Sequence, residues 1–209
     1  MAISTYGELQ TAVSNWLHRS DLSALLPDFI TLAESRIYNG SNDPQFPTKP
    51  LRVRNMQNRA SGTVGSLGAI TIPTGFLEVI RFNLTVSSVN RPLRYLAPVD
   101  NALFETEQGS GFYYTIVNNS FYVSPYDSSS YALDYYKKFD ALASAGDTNW
   151  LLTNAPQVYL YGALLETAPY LNKDSRVSTW FRLFAAAING LQNNDRNAAY
   201  GQALQVTAG

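Results

Sequence analysis

Apolar residues recur at helical spacing at both ends of the chain and at strand spacing between them. This change of period is the strongest constraint on the fold. At the C-terminal end, Trp150 to Leu191 reads as two helices joined by a tight connection. Pro156 stands in the first turn of the first helix, where its missing N–H would be unbonded anyway. Val158, Tyr161, Leu164, Leu165 and Ala168 follow at three- and four-residue steps and predict one apolar face. Val177, Trp180, Phe181, Phe184, Ile188 and Leu191 repeat the pattern, and Asn172, Lys173 and Asp174 supply turn and N-cap types between the two. At the other end, residues 5–19 predict a helix opened by Thr5 and Glu8 as a capping box, with Leu9, Val13, Trp16 and Leu17 on its buried face. A connection at 21–26, with room for one helical turn, leads to a second helix that Pro27 can open. Phe29, Ile30, Ala33 and Ile37 are its stripe, and Asn39-Gly40 ends it. Four stripes, two from each end, predict one helical bundle.

Between the ends lies a proline-rich linker at 40–50, then runs with β-branched and aromatic alternation. These are AITIP (69–73), FLEVIRFNLTV (76–86), the proline-bounded edge PLRYLAP, FYYTIV and SFYVS about an Asn118-Asn119 hairpin, and Tyr131 to Lys137. A short helix is predicted at Val99 to Glu107. The expected fold is α+β. Residues 1–45 and 150–192 form the bundle, 46–149 an inserted small antiparallel β-sandwich or barrel, and 193–209 a polar C-terminal tail that is disordered or a fraying helix extension on its own.

The residue inventory narrows the chemistry. There is no cysteine, which excludes disulfides and thiolate sites. His18 is the only histidine, and the expectation for it is a helix-terminal residue rather than a catalytic base. A transition-metal site would need mostly oxygen ligands, and the acids are scattered; Glu105 and Glu107, two apart on a helix, do not face each other. The glycines at 62, 65 and 68 precede a strand instead of following one, so they predict a turn and not a phosphate cradle. No cofactor and no enzymatic activity are expected. An oxygen-only hydrolase would need convergent carboxylates that the sequence does not display. No apolar run approaches the roughly 18 residues that cross a membrane, and the N-terminus lacks a secretory signal pattern.

Two surface features carry functional expectations. From Pro44 to Leu77 there is no acidic residue, while Lys49, Arg52, Arg54 and Arg59 fall there. If LRVRN is extended, Arg52 and Arg54 point to one side. The run is then either a solvated strand edge or a small basic patch for phosphate or an acidic partner. The second feature is a low charged fraction, 15%, beside dense aromatics from Phe112 to Phe139. A surface so short of charge predicts contact with other protein. The net charge of −1 argues against free-standing nucleic-acid binding. Half of the aromatics suffice for a sandwich core. Outward rings such as Tyr113 and Tyr122 leave open a carbohydrate- or surface-binding module.

The stretches TYGELQTAVSNWLHRSDLSALLPDFITLAESRI, LRVRNM, PTGFLEVIRF, YYKKFDAL and NWLLTNAPQVYLYGALLETAPYL, with the later Trp180, resemble the head-to-tail adaptor (connector) proteins of tailed bacteriophages, and among them the podovirus type with an inserted β domain. The resemblance covers roughly residues 5–191. It implies a structural virion protein at the head–tail junction, assembled in the host cytoplasm. Its copies form a ring, usually of twelve, below the portal protein. The ring extends the DNA channel and offers a platform to the tail tube or nozzle protein. Genomic DNA would touch it transiently and without sequence preference; no membrane partner is implied. The bundle would build the ring, and the β domain would face outward or tailward. The C-terminal segment, with Arg196, Tyr200, Leu204 and Val206, would dock on the portal. The basic run is a candidate for the channel wall or a partner surface.

Overall fold

The computed structural model describes residues 3–98, 111–125, 129–171 and 175–199. The expected helix at Val99 to Glu107, the Asn172–Asp174 turn, Tyr126 and the tail beyond Ala199 lie outside them. The fold is α+β. The chain divides into a helical unit, residues 1–55 and 139–209, and a β unit, residues 56–138.

In the helical unit, α1 spans Tyr6–Leu17, α2 Leu26–Asn39, α3 Trp150–Asn154, α4 Pro156–Leu171 and α5 Val177–Ala199. The capping box at α1 is complete: the Glu8 N–H donates to Thr5 Oγ1 (3.3 Å), and the Thr5 N–H to Glu8 Oε2 (3.1 Å). The Ser4 hydroxyl also donates to Glu8 and holds its carboxyl below the usual carboxylate range. The connection at 21–26 holds a 3₁₀ turn, Ser23–Leu25, and α2 has Pro27 in its first turn. Gly40 ends α2 at φ +73°, and a Cβ there would lie 2.5 Å from the Thr48 carbonyl oxygen. Only glycine lets the chain fold back so closely.

Several expectations need correction. The first C-terminal helix is two: Ala155, with φ −148° and ψ 59°, breaks α3 from α4, and Pro156 opens the second. Asn149 caps α3 by accepting the Leu152 N–H. The single face predicted for α4 understates its burial, because Val158, Tyr159, Leu160, Gly162, Ala163, Leu164, Leu165 and Thr167 are all buried. This helix is central, with α1, α2, α3 and α5 packed on it. Trp16 is 45% exposed instead of buried, and its ring meets the edge of Tyr161 at 5.7 Å. Helix α5 runs past Leu191 to Ala199, so residues 193–199 take the helix-extension alternative. The proline-rich linker at 40–50 is a strap held by hydrogen bonds. Ser41 bridges Thr48, the Leu51 N–H donates to Ile37, and Gln192 Nε2 donates to the Pro50 carbonyl (2.8 Å).

The β unit holds two four-stranded sheets, ordered β1-β8-β3-β4 and β2-β7-β6-β5. The strands are β1 Gln57–Thr63, β2 Ala69–Thr71, β3 Phe76–Val86, β4 Val89–Pro92, β5 Arg94–Tyr95, β6 Tyr113–Val117, β7 Ser120–Ser124 and β8 Ser130–Lys137. The predicted alternation is realised in β3, β6, β7 and β8. Asn118 turns the β6–β7 hairpin at φ 53°. Inner faces meet in one core containing Ile70, Phe82, Leu84, Tyr114, Phe121, Val123, Leu133 and Tyr135. The Phe82 and Phe121 rings cross at 5.2 Å. The arrangement is a sandwich, and no barrel closes among the described residues. It is not wholly antiparallel, because β5 runs parallel to β6. Strand β1, QNRASGT, lacks the apolar alternation that marks a strand and is held by its ladder to β8.

Candidate functional site

The basic run does not form one extended row. The chain enters a 3₁₀ turn at Arg54–Met56, so Arg52 and Arg54 are not neighbours on a strand face. Arg52 Nη1 donates to the carbonyls of Tyr38 (2.9 Å) and Leu51 (2.8 Å). Arg54 Nε and its backbone N–H both donate to Asp195 Oδ1, at 3.0 and 3.1 Å. Lys49 is exposed. These three belong to the helical unit and Arg59 to the β unit. The bonds from Gln192 and Asp195 to the strap explain why α5 runs on: polar residues that lack a periodic apolar stripe find fixed partners there.

On the outer face of the first sheet, β1, β8 and β3 line up Arg59, Asp134 and Arg81 in one register row. Arg59 donates through Nε (2.5 Å) and Nη2 (3.1 Å), and Arg81 through Nε (3.0 Å) and Nη2 (2.6 Å). The Arg59 guanidinium first, and then Arg81, holds the Asp134 carboxyl down at about 2. The arginine side chains remain 62% and 59% exposed. Gln57, Asn58 and Ile80 complete an open cleft of about 660 Å³.

A second cleft of about 300 Å³ is lined by Arg91, Pro92, Arg94, Gly111, Phe112 and Tyr113, with the Arg91 guanidinium 5.8 Å from the Phe112 ring centre. Tyr113 and Tyr122 lie on the sheet face opposite the core and are half-buried. Thr115 and Ser124 beside them are buried, so this face is not an open platform of rings.

The interior of the helical unit is polar in two places. Arg36 pairs with Glu166, joining α2 to α4, and both side chains are largely buried. Asn149 Nδ2 donates to Tyr159 Oη (3.0 Å) and to the Asp140 carbonyl (2.9 Å), and Tyr159 Oη donates to Glu34 (3.2 Å). Burial pushes the Tyr38 hydroxyl up to about 12 and also raises that of Tyr159, so both stay protonated. His18 caps α1 in the left-handed conformation (φ 55°), its N–H donating to Asn15. The glycine run forms a turn with Gly68 at φ +78°. Arg196 is exposed on α5, while Tyr200, Leu204 and Val206 lie outside the described residues. Among the described residues no group of three or more histidine or acidic side chains could hold a metal ion. None of the described helices is long and apolar enough to cross a membrane.

Among the described residues, the ion pairs Arg36–Glu166, Arg54–Asp195, Arg59–Asp134 and Arg81–Asp134 join segments far apart in the chain, and the class this fold defines is a two-unit α+β protein. The chain belongs to the SU10 adaptor protein family, whose family model matches residues 4–206. It is thus a phage adaptor, a structural component of the virion that contacts other head and tail components. No curated protein matches it.

Proposed function

We propose that this adaptor forms a ring between the portal and the tail, extends the DNA channel and gives the tail its attachment platform. The observation that carries the reading is membership of a phage adaptor family along nearly the whole chain. The ring has twelve copies in this reading, as in podovirus-type adaptors with an inserted β domain. The helical unit builds it. The C-terminal segment docks on the portal through Arg196, Tyr200, Leu204 and Val206. Pairing of Arg54 with Asp195 suits a protein past which DNA must slide, because phosphates are gripped by cations free of a counter-charge.

The test is co-sedimentation with portal rings, followed by electron microscopy of the heavy fraction. The expected result is a ring of added density beneath the portal. A chain lacking residues 200–209 keeps the Asp195 and Gln192 bonds and should retain its helical circular dichroism while losing the portal. Normal docking of that truncation would remove the tail from the reading. No association of the full chain at high concentration would overturn the reading itself.

A further inference from the structure

The two edges of the first sheet are unlike. Strand β4 follows a two-residue turn, Ser87-Ser88 (φ 50° and 66°), that closes Val86 onto Val89. The Leu93 N–H donates to Phe82, so Leu93, Arg91 and Val89 face inward and Asn90 and Pro92 face the outer edge. Pro92 offers no N–H there and blocks strand addition. Strand β1 has no such stop. The Val64 N–H donates to the Ser129 carbonyl, so residues of the same parity, Asn58, Ala60 and Gly62, face β8. Gln57, Arg59, Ser61 and Thr63 therefore direct their backbone groups away from the sheet. Of these N–H groups only that of Arg59 has a partner among the described residues, Asn58 Oδ1 at 2.7 Å.

Side chains of these same four residues lie on the face that carries the charged row. There two guanidiniums share one carboxylate, so the Arg59–Asp134–Arg81 row is net positive, with Glu78 on β3 in the next row of the same face and two strands from the β1 edge. Arg59 spends Nε and Nη2 on Asp134, and Nη1 is left for a neighbour laid along the edge. We propose that the outer edge of β1 receives an extended acidic segment of a partner protein as an added strand, with a carboxylate opposite Arg59. Main-chain bonds supply the affinity and Arg59 with Arg81 selects the charge. A peptide backbone fits this edge better than nucleic acid does, because the outward carbonyls need donors and a phosphodiester has none. This surface is independent of the ring and portal reading.

The test uses the full chain and two soluble seven-residue peptides, one alternating valine with glutamate and the other valine with lysine. At saturation the glutamate peptide should slow amide exchange at Ser61 and Thr63 by about tenfold and leave Asn90 unchanged. The lysine peptide should bind several-fold more weakly, since like charges directly opposite are unfavourable. Ser61→Pro should abolish the effect. Arg59→Glu leaves the backbone intact, with Arg81 still pairing Asp134, and should reverse the preference between the peptides. No slowing at Ser61 and Thr63, equal binding of both peptides, or a thymidine oligonucleotide that shifts Arg59 without protecting these amides would each overturn the proposal.

Discussion

The helical unit keeps polar side chains inside and uses them to join chain segments from opposite ends: Arg36 to Glu166, and Tyr159 to Glu34 and Asn149. The β unit keeps its charged row outside and fills its interior with rings, Phe76, Phe82, Tyr114 and Phe121 among them. The two interiors solve different problems. Helices can slide or rotate against one another at little cost in apolar contact, so directional bonds fix their alignment. In the sandwich, ladders and tight turns already set the register, and the core has only to fill space.

The largest effect should come from emptying the ring cluster. Phe82→Ala should cost about 4 kcal/mol, enough to melt the sandwich. If the units are energetically separate, calorimetry shows one early transition while helical circular dichroism persists. Simultaneous loss of both signals would break the comparison. Next, Arg36→Ala should cost about 3 kcal/mol, because it strands Glu166 in a largely buried site; urea titration of the helical signal measures it. Tyr159→Phe keeps the shape and removes one hydroxyl, so about 1 kcal/mol is expected. A null result there would mean that the interior polar bonds add nothing to alignment by packing.

The smallest effect belongs to Asp134. Its folded value, about 2, lies below the ordinary 3.8, so its pairing stabilises fully above pH 3.8 and the contribution is lost as pH falls through about 2. The row is solvent-exposed, which limits it to under about 1 kcal/mol. Melting temperatures of the wild type and Asp134→Asn should differ at pH 5 and converge near pH 2. A gap that persists at pH 2 would mean that the aspartate acts through packing.

The sequence revealed most where local chemistry decides the structure. Thr5 with Glu8, Pro27, Gly40 and Asn118 each act within a few residues, and each marks a real boundary. The breadth of burial on α4 is hard to read because a helix with four others packed on it keeps little polar face to set off a stripe; its exposed residues, Gln157, Pro169 and Tyr170, stand near its ends. Strand β1 was hidden because QNRASGT becomes a strand through β8, far away in the chain. Strand β4 has four residues and a serine turn, without the usual glycine or asparagine. The basic run was legible as charge but not as geometry. Its arginines meet Asp195 and Asp134, and sequence spacing says nothing of partners that distant. The same holds for the extension of α5, which depends on the strap at Pro50 and Arg54.

The placement of α4 at the centre of the helical unit also has a consequence for synthesis. Helices α1 and α2 leave the ribosome before the helix they pack on, which lies beyond the whole β unit. At roughly 5–20 residues per second the intervening chain takes on the order of ten seconds to make. For that interval Leu9, Val13, Phe29, Ile30, Ala33 and Ile37 have no central helix to cover them. The nascent chain is most vulnerable to aggregation then, and a chaperone that binds short apolar helices has its opportunity before Pro156 appears.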